Sequence, residues 1–105
     1  MTKLEIVIKT AVNHCLNLGR DTIIIVPTNL RTQAYSVFVQ NYQEKKWSYN
    51  TGKGLLTLAV AEIKGEATPH YESVFIINPQ DIEDSVLNEV KMIPVTDGLT
   101  ICAKV

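Results

Sequence analysis

The segment from Asp21 to Tyr42 constrains the fold more than any other part of the chain. It opens with the β-branched run 22–26, in which no polar alternation interrupts the apolar residues, as is typical of a strand buried on both faces. After a Pro-Thr-Asn turn, apolar residues recur at the three- and four-residue spacing of a helix, at Leu30, Ala34, Val37, Phe38 and Tyr42. A strand, a turn and a helix in this order are the building block of a layered α/β domain.

Three helices are expected, at about residues 3–18, 29–43 and 79–90. Thr2 and Glu5 fit a capping box at the start of the first helix, and Gly19 is placed to end it. Asn78 followed by Pro79 predicts the start of the third helix, with the asparagine side chain as its cap.

Apolar runs predict further buried strands at about 55–61 and 73–77. The Asp-Gly pair in Thr96-Asp97-Gly98 lies between the apolar runs 92–95 and 99–105, which predicts a hairpin. We therefore expect a single α/β domain over residues 1–105, with two or three layers, a mixed sheet of about five strands, three helices and a C-terminal β-hairpin.

The bulk properties indicate a soluble protein in the cytoplasm. The net charge is −1, so no overall field directs the chain towards nucleic acid or an anionic membrane. No apolar run approaches the ~18 residues of a membrane span, and Glu5 and Lys9 interrupt what would be the apolar region of a signal peptide. Cys15 and Cys102 both lie in apolar patterns and are expected to be reduced core residues.

The glycine-bearing segment 50–54 has two of the features of a phosphate-binding loop, closely spaced glycines and Lys53. However, Gly54 stands where such a loop needs serine or threonine, and a strand is expected to follow instead of a helix. A plain turn is therefore the favoured interpretation.

Basic and aromatic residues alternate in the neighbouring connection, where a partner or nucleic acid could bind; the candidates are Lys45, Lys46, Trp47, Tyr49 and Lys53, with Arg31 as a further contributor. Lysines could pair with phosphates while the rings stack on bases. Alternatively, Trp47 folds back onto the core, or the aromatic residues anchor a protein interface.

The third helix has an acidic face that could meet a basic partner, formed by Asp81, Glu83, Asp84 and Glu89. A solvated charged face is the alternative, since acidic residues also stabilise the first turn of a helix. His14 and His70 lack the spacing of metal ligands. We expect no catalytic constellation, no metal and no cofactor.

The segment from about residue 9 to residue 34 resembles part of the ATPase core of helicases and viral DNA-packaging terminases. The matching residues are Lys9-Thr10-Ala11-Val12, Leu18-Gly19, the run from Asp21 to Thr28, and Gln33-Ala34. In those families the helix after the phosphate loop leads to a strand that ends in Pro-Thr near the nucleic-acid path. Residues 74–79 fall where the family has its acidic metal-binding strand end.

The chain departs from this family at both catalytic motifs. Residues 4–8 stand where the family has its glycines, and Asn78-Pro79 replaces the expected Asp-Glu pair that would organise magnesium. The resemblance therefore implies a truncated, catalytically inactive relative and not ATP hydrolysis.

The sequence favours a small non-catalytic interaction protein, a regulator or inhibitor that acts by binding a protein partner. The alternative is an accessory domain associated with nucleic acid. No membrane partner is expected. If the strand at 99–105 lies at the sheet edge, it could also pair with a second copy of the chain.

Overall fold

The computed structural model describes residues 2–42, 48–50, 54–60, 71–91 and 95–105. It has three α-helices, which are α1 (Lys3–Leu18), α2 (Arg31–Tyr42) and α3 (Asp84–Lys91). The strands are β1 (Thr22–Val26), β2 (Ser48–Asn50), β3 (Leu55–Val60), β4 (Tyr71–Ile77) and β5 (Val95–Ala103). Short 3-10 turns, Thr28–Leu30 and Pro79–Asp81, follow β1 and β4. The predicted α/β class and its three helices are confirmed.

The strands form one sheet in the order β2-β3-β1-β4-β5. The strands β3, β1, β4 and β5 are parallel, and the three-residue β2 pairs antiparallel with β3. All five residues of β1 are buried, as the β-branched run predicts. A central position between β3 and β4 explains this burial, because both edges of β1 are paired and both faces are covered.

Helices cover both faces of the sheet, so the domain has three layers. On one face, α1 and α2 pack on alternate residues of the strands, including Ile24, Leu56 and Phe75. On the other face, Val86 of α3 packs with Ile23, Ile25 and other residues that point the opposite way. Two apolar clusters on opposite faces of one sheet are what the strand's two-residue period produces.

Helix α1 begins and ends as its sequence predicts. The backbone N–H of Glu5 donates to Oγ1 of Thr2 over 3.2 Å, which caps the first turn. At the other end Gly19 has φ 66°, the left-handed conformation that glycine adopts without strain. The predicted inner face is buried or partly buried, at Leu4, Val7, Ile8, Ala11, Val12, Cys15 and Leu16.

The third helix differs from its prediction. A 3-10 turn at Pro79–Asp81 comes first, Ile82 is extended with φ −97° and ψ 135°, and α3 starts only at Asp84. The side chain of Asn78 makes no capping bond to this turn. The prediction of an asparagine cap was therefore wrong, because the Asn78 side chain bonds instead to the backbone of the distant residue Val105.

The structure does not show the predicted C-terminal hairpin. Residues 96–98 lie inside β5, which runs parallel to β4, while residues 92–94 lie outside the described part of the chain. Between the pairs Tyr71–Val95 and Ser73–Leu99, β5 holds more residues than β4, so the register shifts there. The Asp-Gly pair therefore falls at an irregularity within a strand, a second place where such residues are favoured.

Two smaller expectations also need correction. Cys15 is buried as predicted, but Cys102 is exposed, because it lies on β5, the outermost strand of the sheet. The connection predicted from Glu44 to Gly54 contains the short strand β2. None of the helices in the described ranges combines the length and apolar character that a membrane-spanning segment needs.

Candidate functional site

The strand order places a crevice at the carboxyl ends of β1 and β4. The chain leaves β1 for α2 on one face of the sheet, and leaves β4 for α3 on the other face. Two neighbouring parallel strands whose connections diverge in this way open a gap between their following turns. This is the position at which open α/β sheets commonly bind ligands.

A cleft of about 520 Å³ lies there, lined by Thr28 and Asn29 after β1 and by Asp81, Ile82 and Glu83 after β4. Four of these side chains are exposed, and Ile82 is buried among the apolar residues under α3. The amide Nδ2 of Asn29 lies 3.5 Å from Oδ2 of Asp81, to which it donates a long hydrogen bond across the cleft. The two turns are thus connected through polar side chains.

The cleft presents hydrogen-bond acceptors and negative charge. Among the described residues that line it, Asp81 and Glu83 are acidic and none is basic. Asp84, the next residue, is also exposed. Exposed carboxylates accept hydrogen bonds and attract cations, whereas the hydroxyl of Thr28 and the amide of Asn29 can either donate or accept. An ammonium or guanidinium group therefore fits this lining better than an anion does.

Asn78 anchors the turn that carries the acidic side of the cleft. Its backbone N–H donates to the carbonyl of Ala103 over 2.8 Å. Its side chain accepts from the N–H of Val105 over 2.8 Å and donates to the Val105 carbonyl over 3.4 Å. Its own carbonyl accepts from the N–H of Asp81 over 2.9 Å. Asn78 therefore connects the end of β5 with the first turn beside the cleft.

The structure brings part of the predicted acidic face to this cleft. Asp81 and Glu83 line it and Asp84 adjoins it, while the side chain of Glu89 lies outside the described residues. Their proximity to Thr28 and Asn29 was not predicted. The available signal was that both turns directly follow apolar runs predicted to be buried strands, whose carboxyl ends meet at one edge if the strands are parallel neighbours.

Most residues of the predicted basic and aromatic site lie outside the part of the chain that the structure describes. Lys45, Lys46, Trp47 and Lys53 lie outside the described residues. For Tyr49 the structure describes the backbone, within β2, and not the side chain. In the glycine-bearing segment 50–54, Asn50 ends β2 and residues 51–53 lie outside the described part of the chain. Gly54 packs against Arg20, in the turn between α1 and β1.

A second group of polar side chains lies near the amino ends of the strands. Nδ1 of His14 is 3.3 Å from Oγ of Ser73, and the His14 ring meets the Phe75 ring edge-on with centroids 5.1 Å apart. Ser73 has no exposed surface, so a substrate could not reach its hydroxyl. Nearby, Tyr71 donates to Oγ1 of Thr57 over 3.1 Å, and burial raises the pKa of the Tyr71 phenol.

Within the part of the chain that the structure describes, no three His, Cys, Asp or Glu side chains are grouped so as to hold a metal ion. No protein-family model, curated protein or solved structure matches the chain.

Proposed function

We propose that the chain is a cytoplasmic, non-catalytic interaction protein that binds a basic segment of a protein partner at the cleft between β1 and β4. The observation that supports this most is the described lining of the cleft. It has two carboxylates and no basic residue, at the carboxyl ends of two parallel strands whose connections diverge. Lysine or arginine side chains of the partner would approach Asp81 and Glu83, while Thr28 and Asn29 offer neutral hydrogen bonds.

The physical consequence is modest, salt-sensitive binding. Ion pairs between exposed groups contribute only about 0.2–1 kcal/mol each, so two carboxylates cannot by themselves support tight binding. Such pairs weaken with ionic strength because salt screens exposed charges. The partner segment would need to extend beyond the cleft, for example along the exposed side of Asp84.

Two observations support a role without catalysis. The side chain at position 78, where the resemblance to helicases and terminases would place an acidic metal ligand, is an amide already bonded to Val105. In addition, Ser73, whose hydroxyl contacts His14, is fully buried. A turnover of nucleotide or ester that a point substitution abolishes would overturn this part of the proposal.

A lysine-rich octapeptide titrated into the protein, followed by the NMR amide signals of residues 80–84, tests the proposed site. We expect the double substitution Asp81→Asn with Glu83→Gln to weaken binding roughly two- to thirtyfold, since it removes two exposed charge pairs worth about 0.2–1 kcal/mol each. The binding should also weaken as salt is raised from low to near-physiological concentration.

Glu72→Gln provides the matched control. Glu72 lies near the amino end of β4, at the opposite end of the strand from the cleft. Glu72→Gln removes one negative charge, as each of the two substitutions in the cleft does. If this substitution weakens peptide binding as much as a single change at Asp81, the attraction is a general charge effect and the cleft is not the site.

A second candidate function is an accessory domain associated with nucleic acid, related to helicase and terminase cores. One observation favours it: the Pro27-Thr28 and Asn78-Pro79 turns follow neighbouring parallel strands and lie at the same sheet edge. An oligonucleotide arm of the same titration separates the candidates. Salt-sensitive quenching of Trp47 fluorescence by the oligonucleotide, without peptide binding, would favour this second function.

We also propose that the outer edge of β5 pairs with a second copy of the chain. β5 is the last strand in the sheet order. Because the Ala103 carbonyl accepts from Asn78, on the side of β4, the backbone groups of Cys102 and Lys104 point away from β4. Such an outward row of N–H and C=O groups is a template for strand pairing.

Light scattering under reducing conditions at high micromolar concentration checks this pairing. We expect a dimer for the wild type and for Cys102→Ser, which keeps the outward N–H. Cys102→Pro removes that N–H and should be monomeric. A wild-type protein that remains a monomer at these concentrations would refute the pairing.

A further inference from the structure

The polar groups of Asn78 bond to two different parts of the fold, the end of β5 and the turn beside the cleft. Its N–H and its side chain make three hydrogen bonds to Ala103 and Val105, whereas its carbonyl accepts from Asp81 of the cleft. Asn78 is only 5% exposed, so these bonds satisfy polar groups of Asn78 that would otherwise be costly to bury.

The backbone of Asn78 indicates that these bonds determine its conformation. It has φ 48° and ψ 63°, and it is the one non-glycine residue with positive φ in the described part of the chain. The left-handed region is unfavourable for most residues, although asparagine tolerates it better than others do. The carbonyl of a left-handed residue points in a different direction from that of a helical one. The position of the Asp81 N–H therefore depends on Asn78 staying left-handed.

We propose that Asn78 is a positioning residue that couples the segment 103–105 to the acidic side of the cleft. When the Asn78–Val105 bonds form, the turn Pro79–Asp81 is held in the conformation that presents Asp81 to Asn29. When they break, the turn loosens and the cleft loses its shape. Because linkage is reciprocal, a basic segment bound in the cleft would in turn stabilise the attachment of residues 103–105. This reciprocal effect, unlike the positioning itself, rests on the proposed function.

Val105→Pro tests the coupling, with Val105→Ala as its matched control. Proline lacks the N–H that Asn78 Oδ1 accepts, whereas alanine keeps it and shortens a side chain that is already 37% exposed. We expect Val105→Pro to speed hydrogen exchange at the Asp81 and Ile82 amides about tenfold relative to Val105→Ala, with little change at Ile24 in the core. Asn78→Gly, which keeps the left-handed backbone but removes both side-chain bonds, should give the same pattern.

Two outcomes would overturn the coupling. One is exchange at Asp81 and Ile82 that is the same in Val105→Pro and Val105→Ala. The other is an equal acceleration at Ile24, which would mean that the bonds stabilise the fold as a whole and do not position the turn. The lysine-rich octapeptide is then added, and Val105→Pro should bind it about threefold more weakly than Val105→Ala does. If the wild type does not bind the peptide at all, the proposed function fails, while the exchange result still decides whether Asn78 positions the turn.

Discussion

Phe75→Ala is expected to lower the free energy of unfolding by about 3–5 kcal/mol, because it removes a buried aromatic ring and leaves a cavity. Phe75 lies in β4 between Ile24 of β1 and Ile101 of β5, and it is only 1% exposed. Its ring also meets the ring of His14 at nearly a right angle, a contact that packs α1 against the sheet. Natural domains are stable by only about 5–15 kcal/mol, so this single change could remove most of the margin.

Denaturant unfolding followed by circular dichroism measures the loss. Leu18→Ala is the matched control, since Leu18 is 61% exposed and its truncation creates no cavity. We expect this control to remain within about 0.5 kcal/mol of the wild type, as is usual for surface positions. A loss below about 1 kcal/mol for Phe75→Ala would contradict the burial of this ring between the sheet and its covering helices.

Gly54→Ala should be the next most damaging substitution, at about 1–3 kcal/mol, the usual cost of forcing extra atoms into a packed site. A Cβ atom at position 54 would lie 2.8 Å from the carbonyl oxygen and 3.0 Å from the carbonyl carbon of Arg20. It would also lie 3.3 Å from Sγ of Cys15. The Arg20 carbonyl accepts a 3.0 Å hydrogen bond from Oγ1 of Thr22, a fully buried side chain, so a shift of this backbone would disturb the start of β1.

The melting temperature of Gly54→Ala, measured beside Ser85→Ala, provides the test. Ser85 is exposed on α3, where alanine is a better helix former, so the control should be neutral or slightly stabilising. The double variant Gly54→Ala with Cys15→Ala should not recover stability, because the closest contact is to backbone. A melting temperature equal to that of the wild type would contradict the close approach of Gly54 to the Arg20 carbonyl.

The elements that local patterns determine could be predicted from the sequence. The unbroken run at β1 indicates burial on both faces, and the periodicity of α1 indicates one inner face; neither depends on residues far along the chain. The same holds for Thr2 and Gly19, which act on their own helix. In each case the physical cause, side-chain periodicity or a capping hydrogen bond, lies within a few residues of the element that it explains.

The features that sequence reasoning missed depend on distant partners. Asparagine is a residue type that often caps helices, but the side chain of Asn78 bonds to Val105. No local sequence pattern predicts that bond. Asp97-Gly98 is a typical hairpin turn, yet the residues lie within a strand because β4 provides a parallel partner. The cleft exists because β1 and β4 are neighbours in the sheet, which brings Asn29 close to Asp81. The sequence could predict the turn after each strand, but not that the two turns lie side by side.

The central position of β1 also has a consequence for how the chain acquires its structure. Thr22 pairs with Leu56 on one side and with Ser73 on the other, so neither edge of β1 finds its partner among nearby residues. Pairing over such sequence separations is slow, because long loops must close before any contact stabilises them. Until then, a run of five β-branched residues stays without its native neighbours, and runs of this kind are prone to aggregate. We therefore expect the yield of soluble protein on recombinant expression to depend strongly on temperature and on chaperone supply, and not only on the stability of the folded domain itself.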